Sequence, residues 1–446
     1  MPKLSTEPYK GARDFYPEEK RIQNYIFNIW RETALSFGYE EYDAPLLEKL
    51  EVYEAKSGEE LVNNQLYSLE DKGGRKVAIR PEKTPSVARM VAAKLPSLPR
   101  PIRWFNIGNC WRYEKPQKGR GREFYQFDCD IFGENSINAD VEVFSIPLEV
   151  MKKLGATKGM FELRVNNRKF AEFYLKEVAN IQGEIAQKAT QLYRVTKSID
   201  SKPKIAEKEF TQMLESYGLS DEQISKVNEY LNADLDFVTK FVNQNEGAKQ
   251  LIEFLDLMGK MGYKDFIRYS PEIMRGLDYY TGIVVEQFDL NPKNNRAMYG
   301  GGRYDNLIGL FSDQKLTGVG FAMGDITLLE FLKEWNLLPQ LEQQVEYFVA
   351  LWQSRDSNQQ TKYTAKTMEI AQKIRQAGNS CLTQLDYRTS ISQQLATASK
   401  KGIKKAIIAG EKELEKNTIG IKNLTTGEQK EIPFEEFLEN LKRSNA

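Results

Sequence analysis

From about Phe170 to Gly262 the chain carries almost no strand signal: Lys, Glu and Gln dominate, and Leu, Ile and Phe return at helical intervals. Segments with strand pattern lie on both sides. This arrangement restricts the chain to a fold in which a block of helices, residues 170–262, is inserted into a strand-bearing domain.

Upstream, Tyr25, Ile26, Ile29, Trp30, Ala34 and Phe37 recur at helical spacing from Ile22 onward and Gly38 follows, which predicts an amphipathic helix with a glycine stop. Leu66–Leu69 and Lys76–Arg80 flank Asp71-Lys72-Gly73-Gly74 and predict a hairpin. Thr84-Pro85 opens a helix through Ala93, with Thr84 as the expected N-cap. Arg103–Glu114 and Glu123–Phe132 are aromatic-rich strands joined by residues 115–122, a second hairpin with a basic tip. Beyond the helical block, strands are predicted over Gly282–Leu290 and Thr317–Met323, followed by a helix from Leu328. Residues 334–344 read as a linker, closing a first domain of residues 1–333. Strand and helix then alternate through Tyr347–Trp352, Thr364–Gln376, Ser380–Leu385, Ser392–Lys400 and Lys405–Ala409, which predicts a small α/β domain with parallel pairing over residues 345–446.

A length of 446 residues suits two or three domains. The 63 Lys+Arg balance the 63 Asp+Glu, so no global basic field exists and any RNA contact must use local patches. Cys110, Cys129 and Cys381 lie far apart without CxxC spacing, which gives neither a disulfide framework nor a zinc site. Residues 1–14 hold no apolar targeting core, and no run has the length of a membrane span, so a cytoplasmic protein without membrane attachment is expected. The sequence contains 0 histidines, which excludes histidine triads, histidine general bases and histidine metal ligands. Its chemistry has to run on arginine, carboxylates, tyrosine and bound metal.

Four segments combine residue types suited to ligands. The hairpin tip, residues 115–122, offers Lys, Arg and backbone N–H groups to phosphate, a solvated loop being the plainer reading. Arg80-Pro81-Glu82-Lys83-Thr84-Pro85 sets a carboxylate and a hydroxyl where strand gives way to helix, suited to an ammonium group or to a simple cap. Residues 275–282, Arg275 to Gly282, gather a guanidinium, a carboxylate and two phenols, although tyrosine pairs also pack in cores. Tyr299-Gly300-Gly301-Gly302-Arg303-Tyr304-Asp305 reads as a glycine run leading into a charged helix start, open to a ligand or serving as a turn.

Pro45 after a predicted strand, Arg112 within Phe105–Glu114, and the glycine-rich strand at Gly318–Met323 resemble, in that order, the three motifs of class II aminoacyl-tRNA synthetases. Within that class, residues 275–282, residues 300–305 and the opening Lys10–Pro17 are similar to signature peptides of the histidyl-tRNA synthetase family. The resemblance covers nearly the whole chain. It implies an α+β catalytic domain with a mainly antiparallel sheet, a helical insertion and a C-terminal α/β anticodon-binding domain. It also implies a homodimer through the helix Ile22–Phe37 and the strand ending at Pro45, with ATP and Mg²⁺, L-histidine and its tRNA as partners. Carried over residue by residue, Glu82 and Thr84 hold the ammonium group, with Lys83 in the same peptide and Gln126 beside them. Asp130, Tyr279 and Tyr280 read the imidazole, and Gln126, Asp128 and Asp130 share one face of their strand. Arg112 and Arg275 neutralise the α-phosphate and the substrate carboxylate; Arg112, Glu114, Arg120 and Gly302 take ATP; Gln117 approaches the tRNA acceptor end. No residue is assigned to metal.

One departure stands out. The family's third motif ends in an arginine for the γ-phosphate, whereas Gly318–Met323 runs here into Gly324-Asp325-Ile326-Thr327, with Thr327 at the arginine position. Another cation or a shifted Mg²⁺ must serve there. The implied reaction suits a histidine-free chain, because its nucleophile is a carboxylate already ionised at neutral pH, and catalysis reduces to alignment and charge neutralisation. Two other readings exist: a synthetase-like sensor or RNA-binding module, which the intact Arg112 and Arg275 oppose, and the non-catalytic regulatory paralogue of histidine biosynthesis. The missing arginine favours it; the C-terminal module and intact signatures oppose it.

Overall fold

The computed structural model describes residues 3–54, 64–184, 190–202, 205–274, 279–294, 297–341 and 345–444. They divide into two units, Met1–Leu338 and Pro339–Ala446.

The first unit opens with helix α1 (Pro17–Ser36), which starts before the apolar periodicity does because Pro17 supplies a first-turn residue that needs no N–H partner. Gly38, at φ +79°, turns the chain out of it. Strands β1 (Glu40–Glu41) and β2 (Leu47–Lys49), helix α2 (Leu50–Glu54), strands β3 (Tyr67–Glu70) and β4 (Lys76–Ile79) and helix α3 (Thr84–Lys94) follow. Pro45 lies in the irregular segment between β1 and β2. The β3–β4 hairpin forms as predicted, Asp71 accepting the backbone N–H groups of Gly73 and Arg75 to shape its turn. Next come β5 (Ile102–Trp111), β6 (Glu123–Phe132), α4 (Ile137–Lys153) and β7 (Phe161–Asn167). The predicted helical block appears as α5 (Arg168–Phe173), α6 (Gln191–Ser201), α7 (Glu207–Ser216), α8 (Asp221–Leu231), α9 (Leu235–Thr239) and α10 (Glu246–Met258). Strands β8 (Ile267–Tyr269), β9 (Ile283–Asp289), β10 (Ala297–Arg303) and β11 (Gly318–Gly324) and helix α11 (Asp325–Glu334) complete the unit.

Eight of these strands form one sheet in the order β1-β5-β6-β11-β10-β9-β7-β8. Every neighbouring pair is antiparallel except β1/β5 and β7/β8, so the expected mainly antiparallel α+β domain is present. Alternation along β6 decides what each face does. Phe127, Cys129 and Ile131 enter the main core, where Trp30 of α1 stacks on Phe127 at 5.5 Å. Gln126, Asp128 and Asp130 point the other way. The inserted helices join that same core, since Leu214, Val227, Leu251 and Phe254 pack with Phe144 of α4.

The glycine run differs from its reading. Gly300-Gly301-Gly302 lies inside β10, paired on both sides, and the next regular element after Arg303 is a 3-10 turn at Ile308–Leu310 instead of a charged helix. Glycine has a poor strand preference, so only close packing against neighbouring strands makes this run a strand.

In the second unit β12 (Tyr347–Val349), α12 (Ser357–Gln376), β13 (Cys381–Thr383), α13 (Ile391–Lys400) and β14 (Lys405–Ile408) alternate as predicted, and β12 is parallel to both neighbours. After α14 (Glu411–Lys416), β15 (Thr418–Asn423) and β16 (Gln429–Pro433) extend the sheet antiparallel and α15 (Phe434–Ser444) closes it. Among the described residues, no helix is long and apolar enough to cross a membrane.

Candidate active site

The β5–β6 hairpin overhangs the end of β11 and the start of α11. The space between them, roughly 550 Å³, is walled by Arg112, Glu114, Arg120 and Gln126 on the hairpin side and by Gly324 and Thr327 on the other. Arg112 sits one residue past β5; its Nε donates to the Pro81 carbonyl at 3.0 Å and its guanidinium lies over the Phe124 ring at 5.1 Å. Two contacts of this kind fix the direction of an otherwise flexible side chain. Glu114 and Arg120 pair at 2.8 Å, while Gln117 and Arg120 exchange backbone hydrogen bonds at 3.0 and 2.9 Å and so build the tip. Thr327, in the first turn of α11, donates its hydroxyl to the Met298 carbonyl at 3.2 Å. The wall at that point presents a hydroxyl and no cation.

Behind the hairpin, the 82–84 peptide turns inward. Thr84 is the first residue of α3 instead of its N-cap; Lys83 holds the cap position without a capping side-chain bond. Tyr279 donates to Glu82 Oε2 at 3.1 Å, and the Thr84 hydroxyl lies beside the same phenol. Lys83 turns the opposite way from its neighbours. Its ammonium is wholly buried, donating to the Gln126 carbonyl at 2.8 Å and pairing with Asp128 at 2.6 Å. Burial pushes the Asp128 carboxyl up, and the adjacent Lys83 charge pulls against that shift.

The polar row on β6 is buried, not solvated. Gln126 accepts from the Cys110 thiol at 3.4 Å, Asp128 takes Lys83, and Asp130 accepts a hydrogen bond from the Tyr304 hydroxyl. Burial pushes the Asp130 carboxyl up to about 8. Tyr279, Tyr280 and Tyr304 close around it, with ring centroids 5.0, 5.7 and 6.3 Å apart. Two glycines make the space. A Cβ at Gly320 would overlap the Asp130 carboxylate, and one at Gly302 would come within 2.7 Å of the Tyr280 ring. Gly302 therefore seats Tyr280 in this pocket and is not one of the residues walling the cleft beside Arg112.

Glu82, Thr84, Asp130, Tyr279 and Tyr280 thus converge, while Arg112, Glu114, Arg120 and Gln126 line the adjoining cleft. Gln117 stays at the hairpin tip, and Arg275, with residues 276–278, lies outside the described residues. Tyr304 joins the pocket although the residue-by-residue reading gave it no role. Its signal was present in the glycine-run peptide, an aromatic set directly after a strand that has no side chains to obstruct it. Its neighbour Arg303 is buried, bonded to Asp140 and to the carbonyls of Glu134 and Ser136 at 3.0 Å each, which holds the end of β10 in place.

A mainly antiparallel eight-stranded sheet, with a long hairpin that aims an arginine into an open cleft, is the catalytic architecture of class II aminoacyl-tRNA synthetases. Residues 11–327 match the family model for histidyl-tRNA synthetase, and residues 351–444 match the anticodon binding domain. The chain is 40% identical over 442 residues to a histidine–tRNA ligase of Leptospira biflexa, covering 99% of this chain and 98% of the relative. It is 35% identical over 448 residues to one of Thermoplasma volcanium, covering 99% and 100%. The crystal structure of histidyl-tRNA synthetase from Nostoc sp. superposes with a TM-score of 0.80 at 25% identity, over 99% of this chain and all of that one (100%). The chain belongs to the histidyl-tRNA synthetase family, and its activity is that of a histidine–tRNA ligase.

Proposed function

We propose that the hairpin cleft takes ATP, that the phenol-lined pocket takes histidine, and that Arg112 stands between them. One observation carries this reading: a buried carboxylate, Asp130, with a phenol donor, Tyr304, adjoins a cleft walled by Arg112. An imidazole has one ring N–H donor and one ring acceptor, and a carboxylate with phenols satisfies both. Glu82, which Tyr279 bonds, and Thr84 receive the ammonium group. The substrate carboxylate then attacks the α-phosphorus of ATP, the bond to diphosphate breaks, and Arg112 and Arg275 neutralise the charge that builds on the phosphorus oxygens. Lys83, spent on Asp128, supports the pocket from below and does not reach the substrate.

Among the described residues no cluster of three carboxylate or thiol side chains is placed to cage a metal, and Glu114 is the one carboxylate on the cleft wall. That donor set fits Mg²⁺ brought in on the phosphates of ATP, with Glu114 as a protein oxygen. In the second step the terminal ribose hydroxyl of the tRNA attacks the acyl carbon, an adenylate phosphate oxygen takes its proton, and the acyl–phosphate bond breaks to release AMP. Gln117 at the exposed tip meets the acceptor end, and the second unit takes the anticodon. The non-catalytic regulatory reading has Thr327 in its favour; the anticodon-module match and the ligase relatives support the enzyme.

The molecule works in the cytoplasm as a homodimer, formed through α1 and the segment ending at Pro45, where the first motif of the class lies. Light scattering at micromolar concentration is expected to give twice the 51.4 kDa chain mass; a fully active monomer rules the dimer out. Charging of histidine tRNA with radiolabelled histidine tests the activity itself, and a purified, folded protein that charges no tRNA contradicts it.

A further inference from the structure

The Lys10–Pro17 peptide supplies nothing to either pocket, yet its first half touches both walls of the cleft. The Gly11 carbonyl accepts the backbone N–H groups of Arg122 at 2.8 Å and Glu123 at 3.1 Å, where the hairpin loop re-enters β6. Gly11 has φ +89°, and a Cβ on it would fall 2.7 Å from the Arg122 side chain. Two residues on, Arg13 Nη2 donates to Asp325 Oδ2 at 2.7 Å. Asp325 is the first residue of α11, two ahead of Thr327, and its other oxygen accepts the Tyr125 N–H of β6 at 2.8 Å. The peptide therefore spans from the base of the hairpin to the helix that forms the opposite wall.

The pair is not an ordinary surface ion pair, whose contribution is small. The Asp325 side chain is 6% exposed and Arg13 Nε is buried without a partner of its own, while the Arg13 side chain as a whole keeps 26% exposure, so the carboxylate has left water and the guanidinium has left it in part. Phe15 lies under the guanidinium at 4.9 Å. Without Arg13, Asp325 loses its charge partner, and the burial that already pushes its carboxyl up is opposed only by the backbone N–H groups of Tyr125 and Ile326. Asp325 then ties the head of α11 to β6 through the Tyr125 N–H alone. The first turn of α11, which carries Thr327, loses one of its ties to the hairpin side of the cleft.

We propose that Arg13 is a positioning residue for ATP: through Asp325 it clamps the head of α11 to the base of the hairpin and so sets the width of the cleft between Arg120 and Thr327. This rests on the reading of that cleft as the ATP site. Arg13 touches no substrate. Its effect is on the geometry of a wall that has no cation of its own.

The test uses full-length protein in histidine-dependent ATP–diphosphate exchange, with KM for ATP, KM for histidine, kcat and thermal unfolding measured for Arg13→Gln, Asp325→Asn and the double variant. Arg13→Gln is expected to raise KM for ATP roughly tenfold or more, the scale of a small misplacement at a reacting centre, and to leave KM for histidine within about twofold. Asp325→Asn reproduces this, and the double variant is no worse than either single one, because both remove the same link. Arg13→Lys recovers part of the loss, and it carries the same readouts if Arg13→Gln does not fold. An unchanged KM for ATP in folded Arg13→Gln, or in Arg13→Lys where Arg13→Gln does not fold, overturns the proposal, as does a rise in both KM values together, or additive effects in the double variant. Absence of exchange in the parent enzyme would instead strike the underlying reading.

Discussion

Tyr304, just beyond the end of β10, reaches over Gly320 of β11 to donate its hydroxyl to Asp130 on β6, so three adjacent strands meet at one carboxylate. Removing that hydroxyl leaves a buried carboxylate without its side-chain donor, a loss on the order of 1–3 kcal/mol. Tyr304→Phe is expected to raise KM for histidine by roughly 10- to 100-fold, with KM for ATP unchanged. Steady-state exchange kinetics check this, and unchanged histidine kinetics would separate Tyr304 from the pocket.

Asp130→Ala removes the acceptor itself. Histidine activation is expected to fall far more than ATP binding, because the damage is confined to the pocket beyond the cleft. Exchange measured beside nucleotide affinity distinguishes the two; equal losses would mean that Asp130 serves the fold and not the substrate.

The protonation of Asp130 gives a stability signature in the ligand-free protein. Its carboxyl lies at about 8 in the folded chain against 3.8 ordinarily, because burial disfavours the charge. The folded state then holds a proton that the unfolded state has released, so this contribution is complete below about pH 4 and is lost as the pH rises through about 8. Thermal unfolding of Asp130→Asn, which cannot ionise, is expected to weaken less than the parent between about pH 5 and 8. Parallel curves for the two proteins would show that Asp130 is ionised throughout.

Arg112→Ala is expected to lower the exchange rate by roughly 10²- to 10³-fold, the scale for losing one preorganised transition-state donor. Arg275→Ala is expected to do the same on the strength of the family pattern. A soluble variant of either that exchanges at the parent rate removes that residue from the mechanism.

Truncation after Leu338, at the boundary between the two units, is expected to spare diphosphate exchange and to cripple tRNA charging, since the residues proposed for activation all precede it. Loss of exchange in a well-folded truncated protein would tie the second unit to activation.

Much of this was legible in the chain because periodicity survives packing. The apolar stripe of α1, both hairpins and the alternation of β12 to β14 follow from local pattern. What escaped depends on contacts distant in sequence. Gly300 to Gly302 look like a turn until β9 and β11 flank them and the Tyr280 ring needs the space over Gly302. Thr84 has the identity of an N-cap, but it is the first residue of α3 and lies beside a phenol 195 positions further on, and no local rule anticipates that. Lys83 sits between two residues that face the pocket, and only the buried Asp128 explains why it turns away. The row at Gln126, Asp128 and Asp130 could be placed on one face from sequence, whereas its burial depends on α3 and the tyrosines that cover it.

Specificity for histidine is the central claim, and diphosphate exchange run with each amino acid in turn tests it most directly. A competitor lacking both imidazole functions leaves Asp130 or a phenol unpaired, and such polar mismatch discriminates by roughly 10⁴ to 10⁵ without an editing step. The account predicts that histidine alone stimulates exchange. Stimulation by any other amino acid to a comparable rate, or no stimulation by histidine, would contradict it.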